Sequence, residues 1–159
     1  MQIEVKIGAL IMDPNSNTPI VVLKGVDSDN ILPIWVGAFE ANAIALEIEK
    51  IVPQRPMTHD LLRNIILETG LTVNRIIISN LLENTFYAQI ELGDQEGKKI
   101  VLDARPSDAI ALALRSDCPI YVEQDVFDIS TAATNQPLTN IEPKEETSQP
   151  VEDWPDLIG

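Results

Sequence analysis

The chain has 159 residues, with 25 acidic against 11 basic side chains, a formal net charge of −14 and 45% hydrophobic residues. That is room for one ordinary domain with a packed core. The charge argues against tight, non-specific nucleic-acid binding, which draws most of its affinity from basic side chains on phosphates. An acidic site that acts on phosphodiesters through a divalent ion stays open, because the ion supplies the positive charge.

The opening MQIEVKIGALIM carries Glu4 and Lys6 at alternating positions, so it reads as a strand and not as a signal peptide. Asp13-Pro14-Asn15-Ser16-Asn17 supplies turn chemistry and Pro19 to Lys24 resumes a strand, which makes a hairpin. ILPIWVG is a third strand. Ala38 to Ile51 lacks Gly and Pro and is rich in Ala, Glu, Ile and Leu, which predicts a helix ending before Pro53. A second helix is expected from Thr58, with Thr58 as N-cap, Met57 stapled onto Leu62, and Gly70 and Leu71 forming a Schellman ending. Strands follow at Thr72 to Ser79, Thr85 to Leu92 and Lys98 to Asp103, the last two joined by GDQEG. Pro106 to Ser116 is a third helix with Pro in its first turn, and PIYVE is a closing strand. No apolar run approaches the ~18 residues of a membrane helix. The lone Cys118 cannot form an internal disulfide, which fits a reducing, cytoplasmic setting.

From Asp128 onward the composition turns to Thr, Asn, Gln, Pro and Glu, with seven acids and one lysine. The expected organisation is therefore a domain over residues 1–127 and a disordered acidic tail over residues 128–159. In that tail, Glu152-Asp153-Trp154-Pro155-Asp156-Leu157-Ile158 has the form of a short docking motif for another protein.

AFEANAIAL (Ala38 to Leu46) matches ARPSDAIAL (Ala104 to Leu112) at an offset of 66 positions, which pairs Asn42 with Asp108. The same offset relates two of the strands. The predicted fold class is α+β: two β-β-β-α halves related by internal duplication, with mixed or antiparallel sheets packed with about three helices and the Thr58 helix inserted between the halves. Both matched helices are apolar on two sides, Leu46 opposing Ile44 and Leu112 opposing Ile110. Such helices are sandwiched inside the fold or meet another subunit, and a homo-oligomer, with a dimer favoured, is expected.

Four stretches in order, PIWVGAFEANAIAL, RPMTHDLL, NTFYAQI and VLDARPSDAIALALR, resemble the bifunctional nuclease domain family. The resemblance covers Gly8 to Val126. It implies cleavage of phosphodiester bonds in RNA and DNA, with a divalent metal, Mg²⁺ or Mn²⁺, as cofactor. It implies no particular catalytic residues.

Those have to come from the residues themselves. No Walker loop, HExxH, paired CxxC or Gly-x-Ser-x-Gly elbow is present. A nuclease needs carboxylates for a metal, a group that activates water and cations for the phosphate. Asp103 ends a strand as a candidate metal ligand. Arg105 and Ser107, at the next helix start, could grip a phosphate, with Asp108 beside them as a candidate catalytic group. The bland reading pairs Asp103 with Arg105 and leaves Ser107 or Asp108 as the cap. His59, the only histidine, suits acid–base work near neutral pH, and Asp60 stands next to it. Both could equally be helix-start residues with no chemistry. Arg55, in the preceding loop, is a phosphate clamp or an exposed charge. Glu40 and Glu47, seven residues apart, could share one metal or simply border the buried face. The competing functional class is a non-catalytic oligomeric binding module for a small anion or a protein partner.

Overall fold

The computed structural model describes residues 1–134. Over these residues the order is β1 (Gln2–Asp13), β2 (Thr18–Gly25), β3 (Ile31–Trp35), α1 (Ala38–Ile48), α2 (Thr58–Glu68), β4 (Thr72–Leu82), β5 (Thr85–Gly93), β6 (Lys99–Ala104), α3 (Pro106–Ser116), β7 (Ile120–Glu123) and α4 (Gln124–Thr134). The fold is α+β, as expected. Among the described residues there are four helices and one seven-stranded mixed sheet, ordered β3-β2-β1-β7-β4-β5-β6.

Local chemistry sets the turns. Asp13 accepts the Asn15 amide at 3.0 Å, and Asn17 takes a positive φ, closing β1 onto β2. Glu83 and Asn84 both have positive φ, the geometry of a two-residue hairpin turn between β4 and β5. Asp94 Oδ1 accepts the amides of Glu96 and Lys98, each at 2.9 Å, and Gly97 turns the chain at φ 88°.

Each half is an antiparallel three-stranded meander followed by a helix, β1-β2-β3-α1 and β4-β5-β6-α3. β7 lies between the halves, antiparallel to β1 and parallel to β4, so the two meanders run in opposite senses across it. A bulge interrupts β1 between Ile7 and Ala9, and another interrupts β4 between Val73 and Arg75. These positions are again 66 apart. Duplication as the origin of the repeat stays an expectation from sequence.

Apolar residues of the meanders and helices form one core, which includes Val21, Leu23, Leu32, Ile44, Ile76, Ile78 and Ile110. α3 is enclosed: Ala109 to Ala113 are all buried, including both Ile110 and Leu112. That resolves the two-sided apolar pattern for α3 within the chain. α1 buries only Ala41, Ala43 and Ile44. The sheet curls, so that Trp35 and Val36 at the end of β3 line one groove with Asn84, Thr85 and Phe86.

Three expectations need correction. α1 ends at Ile48, not Ile51, because Lys50 adopts φ 56° and the Ile51 amide returns to the Leu46 carbonyl at 2.9 Å. This is a Schellman ending built without glycine. The cap of α2 is Met57, not Thr58: Asp60 reaches back to the Met57 amide at 2.9 Å and satisfies the first turn from within. The boundary expected after residue 127 falls inside α4, which continues to Thr134 and seats Val126 and Phe127 in the core. The Ser/Thr/Ala composition after Asp128 concealed a helix anchored by its first turn. The disorder and docking expectations for the rest of the tail lie outside the described residues.

Candidate active site

The starts of α1, α2 and α3 converge on one open cleft of about 560 Å³. Its polar lining comes from Glu40 and Asn42 on α1, Thr58 and His59 on α2, and Asp103, Arg105 and Asp108 around the start of α3. The repeat-related pair Asn42 and Asp108 thus face the same space.

A chain of hydrogen bonds runs along the cleft. His59 Nε2 lies 2.9 Å from Asp108 Oδ1, and Arg105 Nε donates to Asp108 Oδ2 at 2.9 Å. Arg105 also donates to Glu40 Oε1 at 2.9 Å. The hydrogen bonds it donates to Asp108 and then to Glu40 raise the pKa of the guanidinium further, so its charge is locked. Arg105 remains largely exposed while His59 is buried, which leaves a cation at the mouth and an imidazole at the wall. Gly37 makes the Glu40 contact possible: a Cβ there would collide with the Glu40 carboxylate, which folds back over the glycine. When Asp108 is ionised, it requires the imidazole proton on Nε2. In the neutral imidazole Nδ1 then carries the lone pair.

The other candidates fall in different places. Asp103 lies at the rim, exposed, and is not the partner of Arg105. Asp60 turns from the cleft to Arg115: Arg115 Nε donates to Asp60 Oδ1 at 2.8 Å. Burial pushes the Asp60 carboxyl up, but the Met57 amide, followed by the hydrogen bond and charge of Arg115, outweighs burial and holds it below the usual carboxylate range. Ser107 is buried in the neighbouring groove beside Trp35 and Phe86. Arg55 is exposed and Glu47 half-buried, and neither lines the cleft. Glu40 and Glu47 therefore do not form the shared site considered from sequence.

Arg115 escaped the sequence reading. It is buried on α3 and donates to the carbonyls of Ala111 and Ala43, both at 3.0 Å, as well as to Asp60. One guanidinium therefore ties all three cleft-forming helices together. The only signal in sequence was an arginine inside the apolar run AIALALR, where burial demands several partners.

Among the described residues, no group of three His, Cys, Asp or Glu side chains is placed to hold a metal ion. Hard carboxylate oxygens are nevertheless present at the rim. Mg²⁺ commonly uses one or two carboxylates and completes its shell with water and substrate phosphate, so the donor chemistry fits without a preformed cage.

The model of the bifunctional nuclease domain matches residues 21–135, and the chain belongs to that family. An uncharacterized protein of Mycobacterium tuberculosis is 42% identical over 124 residues, covering 78% of this chain and 73% of the relative. Bifunctional nuclease 1 of Oryza sativa subsp. japonica is 29% identical over 110 residues, covering 67% of this chain and 33% of the relative. Bifunctional nuclease 2 of the same plant is 29% identical over 112 residues, covering 68% and 34%. The chain thus spans about a third of the length of these plant relatives. No helix among the described residues is long and apolar enough to cross a membrane.

Proposed function

We propose that the cleft hydrolyses phosphodiester bonds of RNA or DNA, with His59 as the acid–base group. The observation that carries this reading is the linked set His59–Asp108–Arg105–Glu40, each contact at 2.9 Å, opening onto space large enough for a nucleotide. Membership of a nuclease-named family supports the reaction class.

Asp108 holds the imidazole in place and fixes its tautomer, as a carboxylate partner does in hydrolytic triads. Arg105 offers its exposed guanidinium edge to a phosphate oxygen. The expected divalent ion, Mg²⁺ or Mn²⁺, would be held by Asp103 and Glu40. When bound, it would neutralise phosphate charge and lower the pKa of a water. Asp60 and Arg115 keep the three helix starts in register and take no part in the chemistry.

A specific feature favours the rival, a non-catalytic module for an anion or a protein. Arg105 is already shared by two carboxylates, so an anion must compete with them. Hydrolysis of RNA and single-stranded DNA by metal-stripped protein, before and after Mg²⁺ or Mn²⁺ is restored, separates the two. Activity that returns with the ion and is lost in His59→Gln supports the nuclease. No turnover under any condition, with inorganic phosphate still bound, supports the rival.

A further inference from the structure

The same cleft has an apolar side that hydrolysis of a phosphodiester does not require. Phe39, one residue before Glu40 in the first turn of α1, is 89% exposed, and Met57, Leu62 and Ile90 line the cleft with it. A phenylalanine held in water forgoes the stabilisation that burial of its ring would bring. Nothing in the packing of α1 needs it there, since this helix is anchored by Ala41, Ala43 and Ile44.

We propose that Phe39 is the base-stacking residue of the cleft and that the substrate is single-stranded, engaged through one unpaired nucleotide whose phosphate meets Arg105. The inference rests on the nuclease reading and narrows it to a substrate class. Three observations lead to it. Among the described residues Arg105 is the only lysine or arginine in the cleft lining, so the cleft they form offers no row of cations for a row of phosphates. The aromatic face is a further source of binding energy that does not depend on phosphate charge, and base–aromatic stacking is tolerant of sequence. A base inside a duplex is already stacked on both faces, so only an unpaired one can lie on Phe39. The volume of about 560 Å³ falls within the range of single-ligand pockets, which suits one nucleotide.

The test titrates adenosine 5′-monophosphate and ribose 5-phosphate separately into the full chain, followed by amide NMR shifts, for wild type, Phe39→Ala and Phe39→Trp. The exposure of Phe39 makes these substitutions harmless to the core. Phe39→Ala should weaken the mononucleotide about tenfold, the scale of one lost stack, and leave ribose 5-phosphate unchanged; Phe39→Trp should retain binding. With a single-stranded oligonucleotide, Phe39→Ala should raise KM and keep kcat within a few-fold. Equal mononucleotide affinity in wild type and Phe39→Ala overturns the inference. So does a Phe39→Ala protein that keeps nucleotide binding but loses a self-association seen in wild type, since the ring would then cover a second copy. Oligonucleotide cleavage with an unchanged KM removes the stacking role and leaves the hydrolytic reading intact. Phe39-dependent nucleotide binding without cleavage of any strand removes the hydrolytic reading and leaves stacking standing.

Discussion

His59 and Asp60 are sequence neighbours with opposite assignments. His59 turns into the cleft and meets Asp108 across 49 positions of sequence; Asp60 turns inward and meets Arg115 across 55. Adjacent helical residues point about 100° apart, so one turn serves both the chemistry and the scaffold. Asp108→Asn should lower kcat by ~100-fold, the scale of acid–base catalysis, with little change in KM. A purely structural Asp108 would lower stability and leave the kcat of the folded protein in place. Asp60→Asn leaves a buried guanidinium short of its charge partner and should cost about 3 kcal/mol in urea unfolding. The folded pKa of Asp60 is depressed, so its contribution is fully present above the unfolded value near ~4. It is lost as pH falls through the folded value. The stability gap between wild type and Asp60→Asn should therefore narrow on acidification below about pH 4 and stay constant through neutrality. A gap that widens in acid would contradict the ion pair.

At the scale of elements, endings carry the sharpest predictions. Gly70 closes α2 at φ 80° with open space around its α-carbon, so Gly70→Ala tests backbone strain alone and should cost about 1 kcal/mol. Lys50 plays the same part after α1 at φ 56°, and Lys50→Gly should stabilise by a similar ~1 kcal/mol. Thermal unfolding of the two variants reads opposite signs, and equal signs would contradict the cap assignment. Phe127→Ala should cost roughly 3–5 kcal/mol, because the ring, in the first turn of α4, is buried in the core. What sequence disclosed follows the same division. The β1–β2 hairpin, the Schellman ending of α2 and the span of α3 were legible because Asp13, Asn17, Gly70 and Pro106 act locally. The early stop of α1 and the existence of α4 were not. Each depends on a non-local balance, a lysine tolerated at positive φ and two apolar residues finding a distant core.

For the whole molecule, the same contrast governs the candidate site. His59, Asp103, Arg105, Asp108 and Glu40 could be singled out as residue types at helix starts. Their convergence, and the departure of Asp60, Ser107, Arg55 and Glu47 from it, belongs to the packing of α1 and α2 on α3. Phe39 gave no signal in sequence, because exposure cannot be read from a single apolar residue. The expected homo-oligomer has a candidate surface in Leu61 and Ile65, exposed one turn apart along α2. Sedimentation should show a dimer that Ile65→Glu converts to monomer; a wild type monomeric at every concentration contradicts it. One cation in the cleft among the described residues also predicts a shallow salt dependence of strand binding, a log–log slope near −0.7 for a single phosphate contact.

The most direct measurement is the cleavage rate of a short single-stranded oligonucleotide by the full chain, with Mg²⁺ or Mn²⁺, beside His59→Gln. The expected result is metal-dependent cleavage that falls ~100-fold or more in the variant while its circular dichroism spectrum is unchanged. Equal rates for wild type and folded His59→Gln would contradict the assignment of the chemistry to this cleft.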